Sequence, residues 1–137
     1  MGVVDKTKPA LVVDDSRAVT SIFGKLLRQI GFDQIDIAHD GTAALTILRS
    51  KQYGFVLADW EMAPMNGPDL VKAIRQEPSL ASLPIILATA HHQIVADMLH
   101  SRQHMGADGY MLKPFTADAL AMKVAAIAAP QRDQLFA

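Results

Sequence analysis

The chain has no cysteine among its 137 residues. That excludes a disulfide framework and any thiol chemistry, and it fits a reducing compartment. Neither sign of charge dominates. Thirteen lysines and arginines face 14 aspartates and glutamates, for a formal net charge of −1. Interspersed charges of this kind lack the basic patch that nucleic-acid binding requires. No apolar run approaches the length of a membrane span. The amino-terminal stretch MGVVDKTKP has no apolar core for a secretory signal, and Lys6 stands where a myristoylation motif needs Ser or Thr. Repeats and low-complexity segments are also missing. What remains is the expectation of one soluble, cytoplasmic domain over residues 1–137, with a core at about residues 9–129 and frayed ends at Met1–Lys8 and Gln131–Ala137. Half of the residues are hydrophobic, enough to bury a core of useful size.

Five short apolar runs alternate with amphipathic stretches. The runs are Ala10–Val13, Ile35–Ala38, Phe55–Ala58, Pro84–Ala88 and Gly109–Leu112. None alternates cleanly, as expected of strands covered on both faces. The first helical pattern places Val19, Ile22, Phe23, Leu26, Leu27 and Ile30 on one face, with Ser16 as N-cap and Gly31 as terminator. Further helices are predicted at about 42–50, 68–76, 93–105 and 117–128. A βα unit repeated five times implies a parallel sheet with right-handed crossovers. Eight units would be needed for a closed barrel. The fold class is therefore α/β: a doubly wound, five-stranded parallel sheet of order 2-1-3-4-5, flavodoxin-like, in a three-layer sandwich.

In such sheets ligands bind beyond the carboxyl ends of the strands. The polar residues there are Asp14-Asp15 after the first strand, His39-Asp40 after the second, Asp59 after the third, Thr89 after the fourth and Lys113 after the fifth. The first and third strands are neighbours, about 5 Å apart. Asp14, Asp15 and Asp59 then converge, and three carboxylates cannot all stay ionised together unaided. A divalent cation resolves this, and an all-oxygen site suits Mg²⁺ or Mn²⁺. The structural alternative is that the Asp pair caps the first helix and Asp59 is a loop residue. Lys113 adds an ammonium for a carboxylate or a phosphoryl oxygen, and Thr89 adds a hydroxyl. Together these groups suit phosphoryl transfer, with Asp59 as nucleophile and an aspartyl phosphate as product. Taken singly, Lys113 reads equally well as a surface lysine, and Thr89 as an ordinary strand residue.

The set Asp14-Asp15, Asp59, Thr89 and Lys113-Pro114-Phe115 resembles the receiver domain of two-component response regulators, most closely the single-domain chemotaxis (CheY-like) type. The likeness is strongest in Leu11–Asp15, in Tyr53–Val56 with Asp59-Trp60, and in Gly106–Tyr110 with Lys113–Phe115, and it runs from about Ala10 to Ala128. The resemblance implies that Asp59 accepts a phosphoryl group from a histidine kinase. It implies that Asp15 and Asp59 contact Mg²⁺ directly, Asp14 mostly through water, and that the Glu61 backbone carbonyl supplies a further ligand. It implies that Lys113 holds a phosphoryl oxygen and that the Lys113–Pro114 bond is cis. Thr89 would swing to the phosphoryl group and Tyr110 would rotate inward, remodelling the face of the fourth helix, fifth strand and fifth helix for a downstream protein partner. The implied molecule is not an enzyme in its own right, binds neither nucleic acid nor membrane, and is a monomer or weak dimer.

Three departures from the family pattern stand out. In Glu61-Met62-Ala63-Pro64-Met65-Asn66-Gly67 the proline is displaced by one position, while Gly67 keeps its register. Glu61 and His91 each lie two residues beyond a site residue and flank the path of attacking water, which suggests that they tune the lifetime of the phosphoryl group. The segment between Thr89 and Lys113 is slightly long and carries His91, His92, His100 and His104. The last two are spaced i, i+4, as a metal pair or as solvated helix histidines. Because this length falls on the expected output face, a flagellar-motor partner does not carry over with the resemblance. No output domain is expected after Ala137, so that signalling would pass through protein contacts. The alternatives are a phosphorelay intermediate, a stress or cell-cycle receiver with a non-motor partner, a receiver-like scaffold that is never phosphorylated, and an aspartate-nucleophile phosphatase. The last normally carries Asp-x-Asp at its first strand, where this chain has Asp-Asp.

Overall fold

The computed structural model describes residues 4–100 and 106–128. Five strands alternate with five helices: β1 (Ala10–Val13), α1 (Arg17–Gln29), β2 (Ile35–Ala38), α2 (Gly41–Ser50), β3 (Phe55–Asp59), α3 (Gly67–Gln76), β4 (Ile85–Thr89), α4 (His92–His100), β5 (Gly109–Leu112) and α5 (Ala117–Ala128). All strand pairs are parallel, and the sheet order is β2-β1-β3-β4-β5, as the alternation predicts. The expected extension of the fourth helix to Met105, and with it the His100–His104 pair, falls outside the described residues.

Two strands have boundaries that differ from the sequence reading, and both matter. β3 runs on to Asp59, and β4 runs from Ile85 to Thr89 rather than starting at Pro84. Pro84 has no N–H to give a ladder, and only its carbonyl is used, by the Val56 N–H at 2.9 Å. Asp59 and Thr89 are therefore each the last residue of a buried strand.

The absence of alternation in the strands is explained by the layers. Leu11, Val13, Val56, Ala58, Ile85 and Leu87 face one side and pack with Leu48 of α2 and Leu70, Val71 and Ile74 of α3. Ala10, Val12, Phe55, Leu57, Ile86 and Ala88 face the other, with Phe23 and Leu27 of α1 and Leu120, Val124 and Ile127 of α5. The Phe23 and Phe115 rings lie 5.0 Å apart on that second side. β2 departs from the expectation of two covered faces. It is an edge strand, and Ile37 is 42% exposed.

The α1 boundaries follow the predicted signals. The Ser16 hydroxyl accepts the Val19 N–H at 3.2 Å. At the other end Gly31 takes φ of 114°, its N–H reaches the Arg28 carbonyl, and the Phe32 N–H reaches that of Leu27. This paired closure requires a residue that tolerates positive φ. One predicted inward residue is wrong: Ile22 is 55% exposed. The buried stripe is Thr20, Phe23, Gly24 and Leu27, and its small and polar members are invisible to a count of apolar residues. Where it is described, the segment before β1 makes local contacts. Asp5 closes a turn by accepting the Lys8 N–H at 3.2 Å and the Thr7 hydroxyl at 2.6 Å, and Val4 packs on the α1/α5 side.

At the amino-terminal ends of the strands, Arg75 ties three segments together. Its guanidinium donates to the carbonyls of Gly106, Ala81 and Leu83 at 2.8, 3.0 and 2.6 Å, and to Asp108 at 3.0 Å. The same Asp108 oxygen accepts the Ile85 N–H at 2.8 Å, which fixes the start of β4. Because the planar fork serves several acceptors at once, lysine cannot replace it. Arg75→Ala is expected to lower unfolding stability by about 2 kcal/mol in urea titration, with Arg75→Lys recovering less than half of the loss.

Candidate functional site

β1 and β3 deliver their carboxylates to one edge because Ala10 to Val13 pair in register with Phe55 to Ala58. The next residue of each strand then stands at the same level. The Asp14 N–H is held by the Ala38 carbonyl at 3.1 Å, and the Trp60 N–H by that of Ala88 at 2.8 Å. The loop after β3 folds back tightly, with the Gly67 N–H on the Trp60 carbonyl at 2.8 Å. A Cβ at Gly67 would lie 2.6 Å from the Asp59 carbonyl oxygen, so only glycine permits this approach.

Oxygens of Asp14, Asp15 and Asp59 lie within 4.8 Å of one another. Asp14 and Asp59 are buried, and Asp15 is exposed. The Lys113 ammonium reaches Asp59 Oδ1 at 2.8 Å and Asp14 Oδ2 at 3.5 Å. Burial pushes the Asp59 carboxyl above its ordinary pKa, against the hydrogen bond from Lys113, and the Asp14 charge pushes the same way as burial. Burial likewise raises Asp14, opposed by the Ser16 N–H and the Lys113 charge. Burial works against the Lys113 ammonium, but its bond to Asp59 and the charges of both aspartates outweigh it, and its pKa is raised. Three carboxylates against one ammonium leave two negative charges in excess. That surplus, with an all-oxygen donor set of which one member opens to solvent, fits a hard divalent cation.

The capping alternative is resolved by the geometry. Ser16 itself caps α1, and Asp14 Oδ1 accepts the Ser16 N–H at 2.9 Å. Asp14 therefore has a local structural duty besides its place in the cluster. No such bond from Asp15 is found among the described residues.

Thr89 is buried and its hydroxyl both donates and accepts a hydrogen bond. It donates to Glu61 Oε2 at 2.7 Å and accepts the His91 N–H at 3.1 Å. The His91 ring nitrogen stands 3.9 Å from the same Glu61 oxygen. Tyr110 is 4% exposed, with its ring 6.2 Å from that of Trp60. The two residues expected to move together thus combine an inward Tyr110 with a Thr89 committed to Glu61. The Lys113–Pro114 bond is cis, and so is Ala63–Pro64 at the displaced proline. Met62 is buried in the α2/α3 layer and Met65 packs beside it, so both serve packing. His39 places Nδ1 3.1 Å from the Asp14 backbone carbonyl, bracing the loop that carries the acidic pair. Sequence reading lists His39 at a strand end without a role, because the contact depends on how β2 and β1 align. Gly41, which follows His39-Asp40 at the same strand end, is likewise left without a role by the sequence reading. A Cβ there would meet the Met65 sulfur at 2.7 Å, a closeness no local motif announces.

A cleft of about 730 Å³ lies at the opposite end of the sheet, bordered by Lys8, Arg49, Lys51, Tyr53, Leu80 and Leu83. Its three cations are paired with Asp5, Glu77 and Asp36 respectively. It therefore offers no free charge to an anion, and the chemistry lies at the carboxyl edge.

Comparison with known proteins agrees with this geometry. The sequence profile of the response regulator receiver domain matches residues 10–125. The chemotaxis protein CheY of Pseudomonas aeruginosa is 39% identical over 114 residues, covering 83% of this chain and 90% of that protein. CheY-3 of Vibrio cholerae is 36% identical over 122 residues, covering 89% and 92%. Among solved structures, the chemotaxis response regulator CheY4 of Vibrio cholerae superposes with a TM-score of 0.75 at 25% identity, covering 88% of this chain and 98% of that one.

Two predictions follow from the electrostatics. Asp15→Asn is expected to weaken Mg²⁺ binding by about tenfold or more, followed by the fluorescence of Trp60. Its stability in chelator should stay equal or rise slightly, since a repulsive charge is removed and no cap is lost; a clear loss would restore the capping role. The second concerns both tyrosines. Burial and the hydrogen bond to Asp36 raise Tyr53, and burial with the Asp108 charge pushes Tyr110 up to about 12. Folded pKa values above the unfolded value of about 10 mean that the native state holds protons the unfolded chain has lost. This stabilisation is complete below about pH 10 and is lost as pH rises through the folded values. Phenolate absorbance should develop near pH 10 in denaturant but later in the native protein, while the urea midpoint falls.

Proposed function

This chain belongs to the response regulator receiver domain family, and from that membership we propose that it is a single-domain phosphorylation switch of the chemotaxis type, with Asp59 as phosphoacceptor. The observation that carries the reading is the contact of the Lys113 ammonium with Asp59 inside a group of three converging carboxylates. The coverage of 90% of the Pseudomonas aeruginosa chemotaxis protein supports the single-domain form.

The proposed donor is the phosphohistidine of a histidine kinase. An Asp59 carboxylate oxygen attacks phosphorus, the bond from phosphorus to the donor nitrogen breaks, and the electron pair leaves with the imidazole. Lys113 opposes the effect of burial and so favours the ionised Asp59 that attack requires. After transfer the same ammonium holds a phosphoryl oxygen. The buried setting of Asp59 limits access of water to the product. A divalent cation held by Asp14, Asp15, Asp59 and the Glu61 backbone carbonyl would supply charge neutralisation for the phosphoryl oxygens. Thr89 and Tyr110 are the proposed switch pair, biased by one new dianionic group.

The proposed output is contact with a downstream protein at the face of α4, β5 and α5. In support, α5 leaves Met122 74% exposed and Ala125 and Ala126 open beside it. No helix among the described residues is long and apolar enough to cross a membrane; the proposed cytoplasmic place beside a kinase rests on the likeness to the chemotaxis protein CheY.

The reading is tested by incubating the protein with Mg²⁺ and acetyl phosphate and following its mass. One labile adduct of about 80 Da, a single phosphoryl group, is expected, and it should be lost in Asp59→Asn. Sustained turnover of phosphomonoesters would assign a hydrolase instead. Failure to form any adduct, with no response to Mg²⁺, would assign a scaffold.

A further inference from the structure

We propose that Glu61 is a positioning residue whose carboxylate captures the Thr89 hydroxyl, so that Thr89 serves the phosphoryl group on Asp59 only by leaving Glu61. The proposal rests on the phosphoacceptor reading of Asp59. Its physical basis is the inventory of one hydroxyl. A threonine hydroxyl has a single hydrogen to donate. In the structure that hydrogen goes to Glu61 Oε2 at 2.7 Å. The acceptor side of the same oxygen takes the His91 N–H at 3.1 Å, so the hydroxyl is oriented from both directions. Donation to Glu61 and donation to a phosphoryl oxygen therefore exclude one another.

The two partners differ in what they can do when the bond breaks. Thr89 is 1% exposed, and its hydroxyl cannot turn to bulk water without a substitute acceptor. The Glu61 side chain is 40% exposed, and its carboxylate can be hydrated once released. Departure of Glu61 is thus inexpensive only when another acceptor stands ready for Thr89, and a phosphoryl oxygen is one. The bond is charge-assisted, which makes it stronger than a neutral hydroxyl contact. The resistance to switching is assigned to the Thr89–Glu61 bond.

Glu61 also acts on Asp59 by its charge alone, and the test must separate the two effects. Glu61→Gln removes the charge but keeps an acceptor oxygen, whereas Glu61→Ala removes both. The full-length chain would be labelled at threonine methyls and examined by NMR, then titrated with beryllium trifluoride in Mg²⁺ using Trp60 fluorescence. Without the phosphoryl mimic, the Thr89 methyl resonance should keep its position in Glu61→Gln and move in Glu61→Ala. Apparent affinity for beryllium trifluoride should be roughly fivefold higher in Glu61→Ala than in Glu61→Gln, the factor given by loss of one neutral hydrogen bond. In a Thr89→Ala background that difference should vanish. Equal behaviour of the two Glu61 variants in both measurements, with a wild type that responds to the mimic, would overturn the positioning role alone. A wild type that takes up neither the mimic nor a phosphoryl group would overturn the phosphoacceptor reading and the positioning role with it.

Discussion

The molecule is organised around the placement of negative charge at the end of a sheet that excludes water. β1 and β3 are buried along their full length, so the carboxylates that follow them inherit a poorly hydrated setting. Asp14 and Asp59 are both pushed toward protonation by that burial. Lys113 is the only cation that reaches them among the described residues, and it touches both. One ammonium does not balance three carboxylates. The edge therefore remains a place where cations and the electrophilic phosphorus of a cation-bearing donor are favoured.

This arrangement depends on backbone register more than on the loops. Val13 opposite Ala58 sets Asp14 beside Asp59, and Thr89 opposite Leu112 brings Lys113 to the same edge. The Lys113 N–H is bonded to the Thr89 carbonyl at 2.7 Å, so the cation's position is fixed by the strand that carries the Thr89 hydroxyl. A one-residue slip in any of these pairings would turn the buried side chains to the wrong layer. The two hydrophobic layers thus also secure the spacing of the charged groups. Arg75 contributes at the far end, where it fixes the entry to β4 and β5 through Asp108 and the Gly106 carbonyl.

Much of this was legible in the sequence, for identifiable reasons. Sheet order followed from alternating βα units, and α1 was bounded by Ser16 and Gly31, whose roles are local. The converging aspartates were legible because strand ends in a parallel sheet share one edge. Contacts whose meaning is tertiary were not legible. Ile22 was misplaced because Thr20 and Gly24 occupy the buried stripe without an apolar signal. The tight packing of Gly41 on Met65 and the His39 brace on Asp14 join segments that no local pattern connects. Glu61 was visible as a neighbour of the path to Asp59, but its bond to Thr89 required the three-dimensional loop.

That last contact bears on how Thr89, being buried, would work as the proposed switch residue. A hydroxyl at an exposed strand end could wait in water and turn to a new acceptor at little cost. Thr89 has no such resting state, because burial obliges it to hold a partner in every conformation. In the proposed switch, its resting partner would therefore enter the equilibrium alongside the phosphoryl group that would replace it. In this chain the resting partner is a carboxylate, which binds the hydroxyl more firmly than a carbonyl would and adds repulsion toward incoming anions. Both effects favour the unengaged arrangement. The same side chain that restrains Thr89 also stands beside His91, whose own N–H completes the hydroxyl's bonding. The sensitivity of the proposed switch would thus be set by a short chain of hydrogen bonds from the β4–α4 junction to the β3–α3 loop.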